Sequence, residues 1–275
     1  MNVAEATTEP MGTRVEMPPR RRPAPRFKPL FLGDWMRAAF IHYEVDAELL
    51  QREIPFELDL WHGRAFVSLV AFVMQRLRPR LGGWLGELAF RPISGTHFLN
   101  VRTYVRHRNE PGIYFMAEFL SNRLCVPLGP PTFGLPYRPG RMEYRHEQEG
   151  GVLAGTVKSA GDRSGLLYRA TLAPAGFNAC PPGTLDFFLL ERYIGFTRYG
   201  DVRRLFHIRH QPWPQVPMET VVQDEGLLGT TGDWVKQARL IGGNYSPGVR
   251  DVWMGRPQRI APPEARRRLT VFFDI

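Results

Sequence analysis

Two large polar side chains, Tyr137 and Arg138, follow a short turn with the sequence Phe133-Gly134-Leu135-Pro136. Gly134 permits a backbone conformation that other residues resist, and Pro136 stiffens the chain after it. Arg138 stays cationic and can hold a carboxylate with two hydrogen bonds, while Tyr137 can donate a hydrogen bond or act as a weak acid. An ordinary Gly/Pro turn is one interpretation. The functional interpretation is that the turn presents both side chains, next to each other, to a pocket.

A carboxylate also stands inside an apolar strand predicted over residues 113–120, where Glu118 is the charged residue. Such a group is either exposed or buried with a partner, and Arg102 on the expected neighbouring strand is a natural partner. A structural ion pair is one interpretation of these two residues. The other is a pocket carboxylate with a shifted pKa, which proton-transfer chemistry requires.

The familiar signatures of nucleotide, hydrolase and zinc-protease sites do not occur in the sequence. His207 and His210 are the closest histidine pair, but the segment is predicted to be a strand, on which residues three apart point to opposite faces. We therefore expect no metal site and no cofactor. Cys125 and Cys180 lie far apart with no second cysteine near either. A single disulfide between them is left open, and a pair of buried thiols is the default expectation.

The net charge of +9 does not indicate a nucleic-acid-binding protein, because much of the excess lies near the ends. Arg20-Arg21-Arg22 and Arg266-Arg267-Arg268 stand in Pro-rich segments, which more often increase solubility than recognise phosphates. No apolar run approaches the roughly 20 residues of a membrane span, and no secretory signal follows Met1. We expect a cytoplasmic protein without specific nucleic-acid binding or membrane insertion, and a homo-oligomer is left open.

The 52 glycines and prolines cut the chain into short segments, which favours strands and turns over long helices. Hydrophobic residues alternate or run continuously between these breaks, as in β-hairpins. We predict a mainly β protein, a single antiparallel β-barrel with a few short helices. A disordered basic tail at 1–30 and a Pro/Arg-rich segment at 256–275 flank one domain at 31–255. The predicted strands are 35–45, 57–60, 65–77, 97–107, 113–120, 142–148, 152–159, 165–172, 192–198, 202–210 and 250–254. A helix is predicted at 47–53 after an Asp46 cap, and 185–190 is a helix or a buried strand. A hairpin turn at 61–64 is predicted to join the strands 57–60 and 65–77, and another turn is predicted at 109–112.

Several segments, taken in order over about residues 32 to 254, resemble the YqjF-like family of uncharacterised conserved bacterial proteins. The resemblance implies no particular activity. More distantly, this family resembles the acetoacetate decarboxylase-like superfamily, which implies a β-barrel or cone around a mostly apolar cavity. The matching segments are Pro55-Phe56-Glu57-Leu58-Asp59, Gly63-Arg64-Ala65-Phe66-Val67-Ser68-Leu69, Leu99-Asn100-Val101-Arg102-Thr103-Tyr104-Val105, Pro111-Gly112-Ile113-Tyr114-Phe115, Phe133-Gly134-Leu135-Pro136-Tyr137, the stretch from Gly183 to Tyr193, and His210-Gln211-Pro212-Trp213-Pro214.

The superfamily carries a Gly-aromatic-Pro-Lys-Lys turn whose lysine forms a Schiff base with a β-keto acid. Here Gly134-Leu135-Pro136 matches the start of that turn, but Tyr137 and Arg138 replace the lysine pair. We therefore do not expect imine-based decarboxylation. The resemblance instead suggests a cavity for a small organic acid or carbonyl compound, with Tyr137, Arg138 and Glu118 as catalytic candidates. Ligand-binding candidates are Arg102, Asn100, Glu191 and His210.

Two hypotheses remain open for this cavity. The first is a cofactor-independent enzyme, in which Arg138 anchors a carboxylate while Tyr137 and Glu118 transfer protons in a lyase-type or enol reaction. The second is a non-catalytic module that binds a ligand or serves in structural interactions. The surroundings of Tyr137 and Arg138 discriminate between these hypotheses.

Overall fold

The structure is a computed structural model that describes residues 27–146, 150–161 and 164–261. Most of the predicted tails at 1–30 and 256–275 lies outside these ranges. The strands are β1 Pro29–Val45, β2 Glu57–Leu58, β3 Ala65–Pro79, β4 Thr96–His107, β5 Glu110–Leu120, β6 Tyr137–Arg145, β7 Val152–Ser159, β8 Gly165–Leu172, β9 Ile194–Tyr199, β10 Val202–Arg209, β11 Val216–Asp224, β12 Arg239–Gly255 and β13 Gln258–Arg259. The α-helices are α1 Ala47–Glu53, α2 Gly83–Phe90, α3 Gly129–Phe133 and α4 Leu185–Leu190.

Nine of the strands close into a barrel, which confirms the predicted mainly β fold. The barrel runs β5–β6–β7–β8–β11–β12–β1–β3–β4 and returns to β5. Its strands are antiparallel except that β6 runs parallel to β5, since α3 rather than a hairpin connects these two strands.

A second circuit shares five strands with this barrel. β9 pairs with β5, and β10 pairs with both β9 and β12, so the path β5–β4–β3–β1–β12–β10–β9 also closes. Two buried apolar clusters correspond to the two circuits: one contains Ile41, Leu69 and Val101, and the other contains Phe40 and Val70.

The shared strands are consequently buried on both faces. On β3, the residues from Ala65 to Met74 are all buried, and they alternate between the two clusters. A strand covered on both sides needs apolar residues at every position, which explains the longest apolar run of the sequence. Within the residues the structure describes, no helix has the length and apolar character needed to cross a membrane.

Most predicted elements are confirmed with small shifts of their ends. Helix α1 has the predicted bounds, and Asp46 accepts a hydrogen bond from the backbone nitrogen of Leu49 at 2.7 Å. The apolar 185–190 segment is the helix α4, capped by Thr184. The bounds of β8 agree with the prediction, and β4 begins one residue earlier than predicted.

Other predictions of local structure are wrong. The segment at 57–60 does not pair with β3 as a hairpin; instead, β2 pairs with β4. The turn between β4 and β5 lies at Arg108 and Asn109, which both have positive φ, rather than at 109–112. The sequence analysis missed β11 entirely and predicted only the end of β12.

Candidate functional site

A cavity of about 250 Å³ lies in the second apolar cluster, between the shared strands on one side and β10 with α3 on the other. A cavity of about 150 Å³ accommodates benzene, so this one can hold a ring with several substituents. Most of the lining is aromatic or aliphatic. The aromatic residues that line it are Phe31, Trp35, Phe72, Phe90, Phe98, Phe115, Phe133, Tyr137, Phe206 and Trp213.

Four of the predicted site residues, Asn100, Arg102, Glu118 and Tyr137, line this cavity. Glu118 of β5 pairs in register with Asn100 of β4 on one side and with Tyr137 of β6 on the other. These three residues therefore form a polar row across three neighbouring strands. Arg102 lies two positions along β4, and because side chains alternate along a strand it shares the face of Asn100.

Arg102 is buried, and the carbonyl of Leu189 accepts a hydrogen bond from its Nη2 at 3.2 Å. Its guanidinium carbon lies 5.5 Å from the ring centroid of Phe40. The Nε atom is buried without a hydrogen-bond partner among the described residues. Burial lowers the pKa of Arg102, but arginine starts so high that the side chain remains cationic. The cavity thus contains a positive charge with an unused donor.

Glu118 is 3% exposed, and its Oε2 also lacks a partner in the described part of the chain. Burial raises the pKa of Glu118 well above its usual value, and the charge of Arg102 lowers it by a smaller amount. The structural ion pair that was one interpretation of these two residues does not form within 4.0 Å in the described structure. Burial therefore favours the protonated carboxyl form of Glu118, which can donate a hydrogen bond into the cavity.

The position of Tyr137 is fixed by the segment that precedes it. Gly134 ends α3 in the left-handed conformation at φ 75°, and its backbone nitrogen donates to the carbonyls of Gly129 and Pro130. A Cβ on Gly129 would lie 2.2 Å from the Tyr137 ring, so the absence of a side chain leaves room for that ring. Burial, followed by the nearby Glu118, raises the pKa of Tyr137 well above its usual value.

Arg138 does not line the cavity. Its Nη1 donates to the carbonyl of Thr230 at 3.0 Å, and its guanidinium carbon lies 5.7 Å from the ring centroid of Phe119, a residue of the other apolar cluster. The expectation that Tyr137 and Arg138 lie next to each other in one pocket is therefore wrong. Both belong to β6, where consecutive side chains point to opposite faces.

Glu191 and His210 lie behind Arg102 rather than on the cavity wall. The backbone nitrogen of Trp213 donates to Glu191 at 2.9 Å, and the hydroxyl of Tyr193 donates to its other oxygen. Burial raises the pKa of Glu191, which the charge of Arg102 partly opposes. Burial, with a contribution from Arg102, lowers the pKa of His210 to about 4, so its ring is neutral near pH 7. Its Nδ1 donates to the carbonyl of Gln211 at 2.6 Å.

A buried chain of hydrogen bonds, which the sequence analysis did not identify, reaches the same place. His42 Nδ1 lies 2.7 Å from Ser68 Oγ, and that atom lies 2.5 Å from the hydroxyl of Tyr104. The Tyr104 hydroxyl donates at 2.9 Å to the carbonyl of Leu189, which also accepts from Arg102. Tyr104 was detectable, since it shares the strand face of Asn100 and Arg102. The link to His42 depends on strand pairing, which the sequence does not reveal.

The described residues contain no group of three or more His, Cys, Asp or Glu side chains arranged to hold a metal ion. The rings of His207 and His210 pack against different partners, Phe27 and Tyr193 respectively. None of the three lysines, Lys28, Lys158 and Lys236, lines the cavity. The arrangement can therefore bind an anion at Arg102 and donate a hydrogen bond from Glu118, but it offers no amine for imine formation.

Comparison with protein families matches residues 33–249 to the DUF2071 family, which is described as "Uncharacterized conserved protein". Among curated proteins, the uncharacterized protein YqjF of Bacillus subtilis (strain 168) is 31% identical over 203 residues. This alignment covers 70% of the present chain and 80% of YqjF. The resemblance inferred from the sequence segments is confirmed.

Solved structures with similar folds belong to the acetoacetate decarboxylase type. Acetoacetate decarboxylase from Legionella pneumophila superposes with a TM-score of 0.60 at 15% identity, covering 88% of this chain and 93% of its own. The enduracididine biosynthesis enzyme MppR, complexed with the condensation product of pyruvate and imidazole 4-carboxaldehyde, has a TM-score of 0.61 at 14% identity. The coverage there is 92% of this chain and 97% of MppR. At these identities the similarity establishes the fold alone.

Proposed function

The chain belongs to the DUF2071 family, and from this premise we propose that its cavity binds a small organic acid or carbonyl compound with an apolar portion. One observation carries the proposal: three buried polar atoms without partners among the described residues, Asn100 Oδ1, Arg102 Nε and Glu118 Oε2, belong to residues that line one cavity. Unpaired buried polar atoms are costly, and a ligand that bonds to them removes that cost.

The charges indicate which part of the ligand each residue would contact. Arg102 supplies the positive charge for a carboxylate or a polarised carbonyl oxygen, the role that the sequence alone suggested for Arg138. Burial raises the pKa of Glu118 and favours its protonated form, which would donate to a second oxygen, while Asn100 would accept from a hydroxyl or amine. The aromatic walls would enclose the rest of the ligand.

A lyase-type reaction without a cofactor is the second candidate function. It is favoured by the raised pKa of Glu118, which makes this residue a general acid near the cation that would bind the substrate carboxylate. The neighbouring Tyr137 also keeps its proton, because burial raises its pKa. Imine chemistry is not proposed, since no lysine lines the cavity.

The experiment is a thermal-shift screen of small carboxylic and keto acids with aliphatic and aromatic substituents. A ligand that binds only the folded protein raises the melting temperature, and the stabilisation grows as RT ln(1 + L/Kd), where L is the free ligand concentration. We expect hits with the wild type that weaken at least about tenfold in Arg102→Gln, because a charge-assisted bond is lost. Arg138→Gln is the matched control, since it removes an arginine outside the cavity.

A Glu118→Gln variant tests the protonation state assigned to that side chain. Gln keeps the shape and the hydrogen-bond donor, so binding should persist, whereas Glu118→Leu should weaken it. If Arg102→Gln fails to fold, Arg102→Lys retains the charge and allows the same comparison by calorimetry. Equal loss of binding in the Arg102 and Arg138 variants, or hits indifferent to both, would refute the proposal.

A further inference from the structure

Six exposed apolar side chains belong to two segments that also contribute residues to the cavity lining. One segment is residues 81–90, which contain α2, and the other is residues 124–128, which directly precede α3: Leu81 at 75% exposure, Trp84 at 72%, Leu85 at 59%, Leu88 at 55%, Leu124 at 61% and Leu128 at 44%. We refer to these six residues as the apolar patch. Helix α2 has no buried residue, so it packs without a core-facing stripe of its own. A contiguous exposed apolar surface indicates an interaction site, whereas single exposed residues do not.

A hydrogen bond joins the two segments that carry the apolar patch. The side-chain nitrogen of Asn122 donates to the carbonyl of Pro92 at 2.8 Å, which joins the segment of Leu124 to the segment that follows α2. Phe90 at the end of α2 and Leu128 both line the cavity. Both segments therefore contribute to the cavity wall as well as to the exposed surface.

Positive charges border the patch. Arg80 precedes Leu81, Arg91 follows Phe90, and Arg123 precedes Leu124 in the sequence. All three arginines are exposed, and none forms an ion pair with another described residue. The acidic residue of α2, Glu87, lies 3.9 Å from Arg78, which also pairs with Asp251 at 2.6 Å.

We propose that the apolar patch docks on an anionic phospholipid surface, with α2 lying in the headgroup region. Trp and Leu side chains on a short surface helix bordered by arginines match the two components of interfacial binding, which are apolar burial and attraction to anionic lipid. With α2 docked, the part of the cavity lining formed by Phe90 and Leu128 lies on the side of the lipid, and this proposal is independent of which ligand the cavity binds.

The test is flotation of the full chain with vesicles of phosphatidylcholine alone and of phosphatidylcholine with phosphatidylglycerol. We expect binding to the anionic vesicles that decreases with salt and is at least about tenfold weaker on the neutral ones. A Trp84→Ser/Leu85→Ser/Leu88→Ser variant should lose the binding. Arg80→Gln/Arg91→Gln/Arg123→Gln should reduce it and flatten its salt dependence.

Two controls separate the patch from other causes. Val152→Ser/Val221→Ser changes apolar residues that are 57% and 56% exposed elsewhere, and it should bind as the wild type does. A full-length variant with Arg20, Arg21, Arg22, Arg266, Arg267 and Arg268 changed to Gln tests the basic end segments, and it should retain binding that depends on the patch.

Three results would overturn the proposal: no binding of the wild type to anionic vesicles, binding that survives the triple Ser variant, or binding abolished by the end-segment variant alone. Light scattering provides a fourth result that would overturn the proposal. If the triple Ser variant converts an oligomer to a monomer and vesicles do not bind, the patch is an interface between copies of this chain.

Discussion

Tyr137 and Arg138 are consecutive residues of β6, and their side chains enter different compartments of the molecule. Tyr137 lines the cavity, whereas Arg138 reaches Phe119 and the carbonyl of Thr230 in the other cluster. Consecutive side chains of a strand point to opposite faces, so these two neighbours reach different surroundings. The cationic group that shares the cavity with Tyr137 is therefore Arg102, from β4.

Gly129 lies so close to the Tyr137 ring that a larger residue at position 129 should destabilise the fold. Because an added Cβ would lie 2.2 Å from the ring, Gly129→Ala should displace Tyr137 and reduce the free energy of unfolding by about 1–3 kcal/mol. Gly229→Ala is the matched control, since no atom lies within 4 Å of its added Cβ. Urea unfolding of both variants measures the difference, and equal stabilities would show that the ring can move without cost.

Glu118 should make the stability depend on pH in a defined direction. Burial raises the pKa of Glu118 in the folded protein above its ordinary value of 4.5. At a pH between 4.5 and that raised pKa, the folded protein holds a proton that the unfolded chain has released. The contribution of Glu118 to the unfolding free energy therefore falls by about 1.4 kcal/mol per pH unit as the pH rises through that window. Glu118→Gln removes this pH-dependent contribution and keeps the shape of the side chain.

The measurement is urea unfolding of wild type and Glu118→Gln from about pH 5 to about pH 8. The advantage of the variant over the wild type should increase with pH. A constant difference over this range would mean that Glu118 titrates in the folded protein as it does in the unfolded chain.

The ion pair between Asp59 and Arg192 is buried, with side chains 6% and 5% exposed and 2.7 Å between Oδ2 and Nη1. Asp59→Asn would leave the guanidinium without its counter-charge, so we expect a loss of about 3–5 kcal/mol in unfolding free energy. Glu44→Gln is the control, because Glu44 pairs with two largely exposed arginines, and it should cost much less. Chemical denaturation measures the unfolding free energy of both variants. Similar losses in the two would show that burial does not strengthen the contribution of the Asp59–Arg192 pair.

Both cysteines are buried, and Cys125 lines the cavity whereas Cys180 does not. Burial raises the pKa of both thiols, that of Cys180 to about 12, so both should react slowly near neutral pH. At raised pH, iodoacetamide should label Cys125 before Cys180, since small molecules enter the cavity. Peptide mass spectrometry measures the order, and a bound acid should slow only Cys125. Faster labelling of Cys180 would indicate a different route into the core.

Local signals predicted much of the framework. Asp46 and the apolar pattern after it fixed the bounds of α1, and the alternation along β4 placed Asn100, Arg102 and Tyr104 on one face. The sequence analysis missed β11 and most of β12, because Gly242, Gly243 and Pro247 in β12 are typical of turns. These residues are tolerated since β12 pairs with β1 along most of its length, and Gly243 permits its backbone to approach that of Phe40 closely.

The sequence by itself determined the β-rich framework, the family and the faces on which the polar residues of each strand lie, because side-chain alternation is a local property. Only the tertiary structure decided which face lines the cavity. That choice depends on pairings between distant segments: β6 beside β5 brings Tyr137 to Glu118, and β10 beside β12 closes the second circuit around them. The same pairings direct Arg138 to the other side of the sheet and leave Arg102 as the cation of the site.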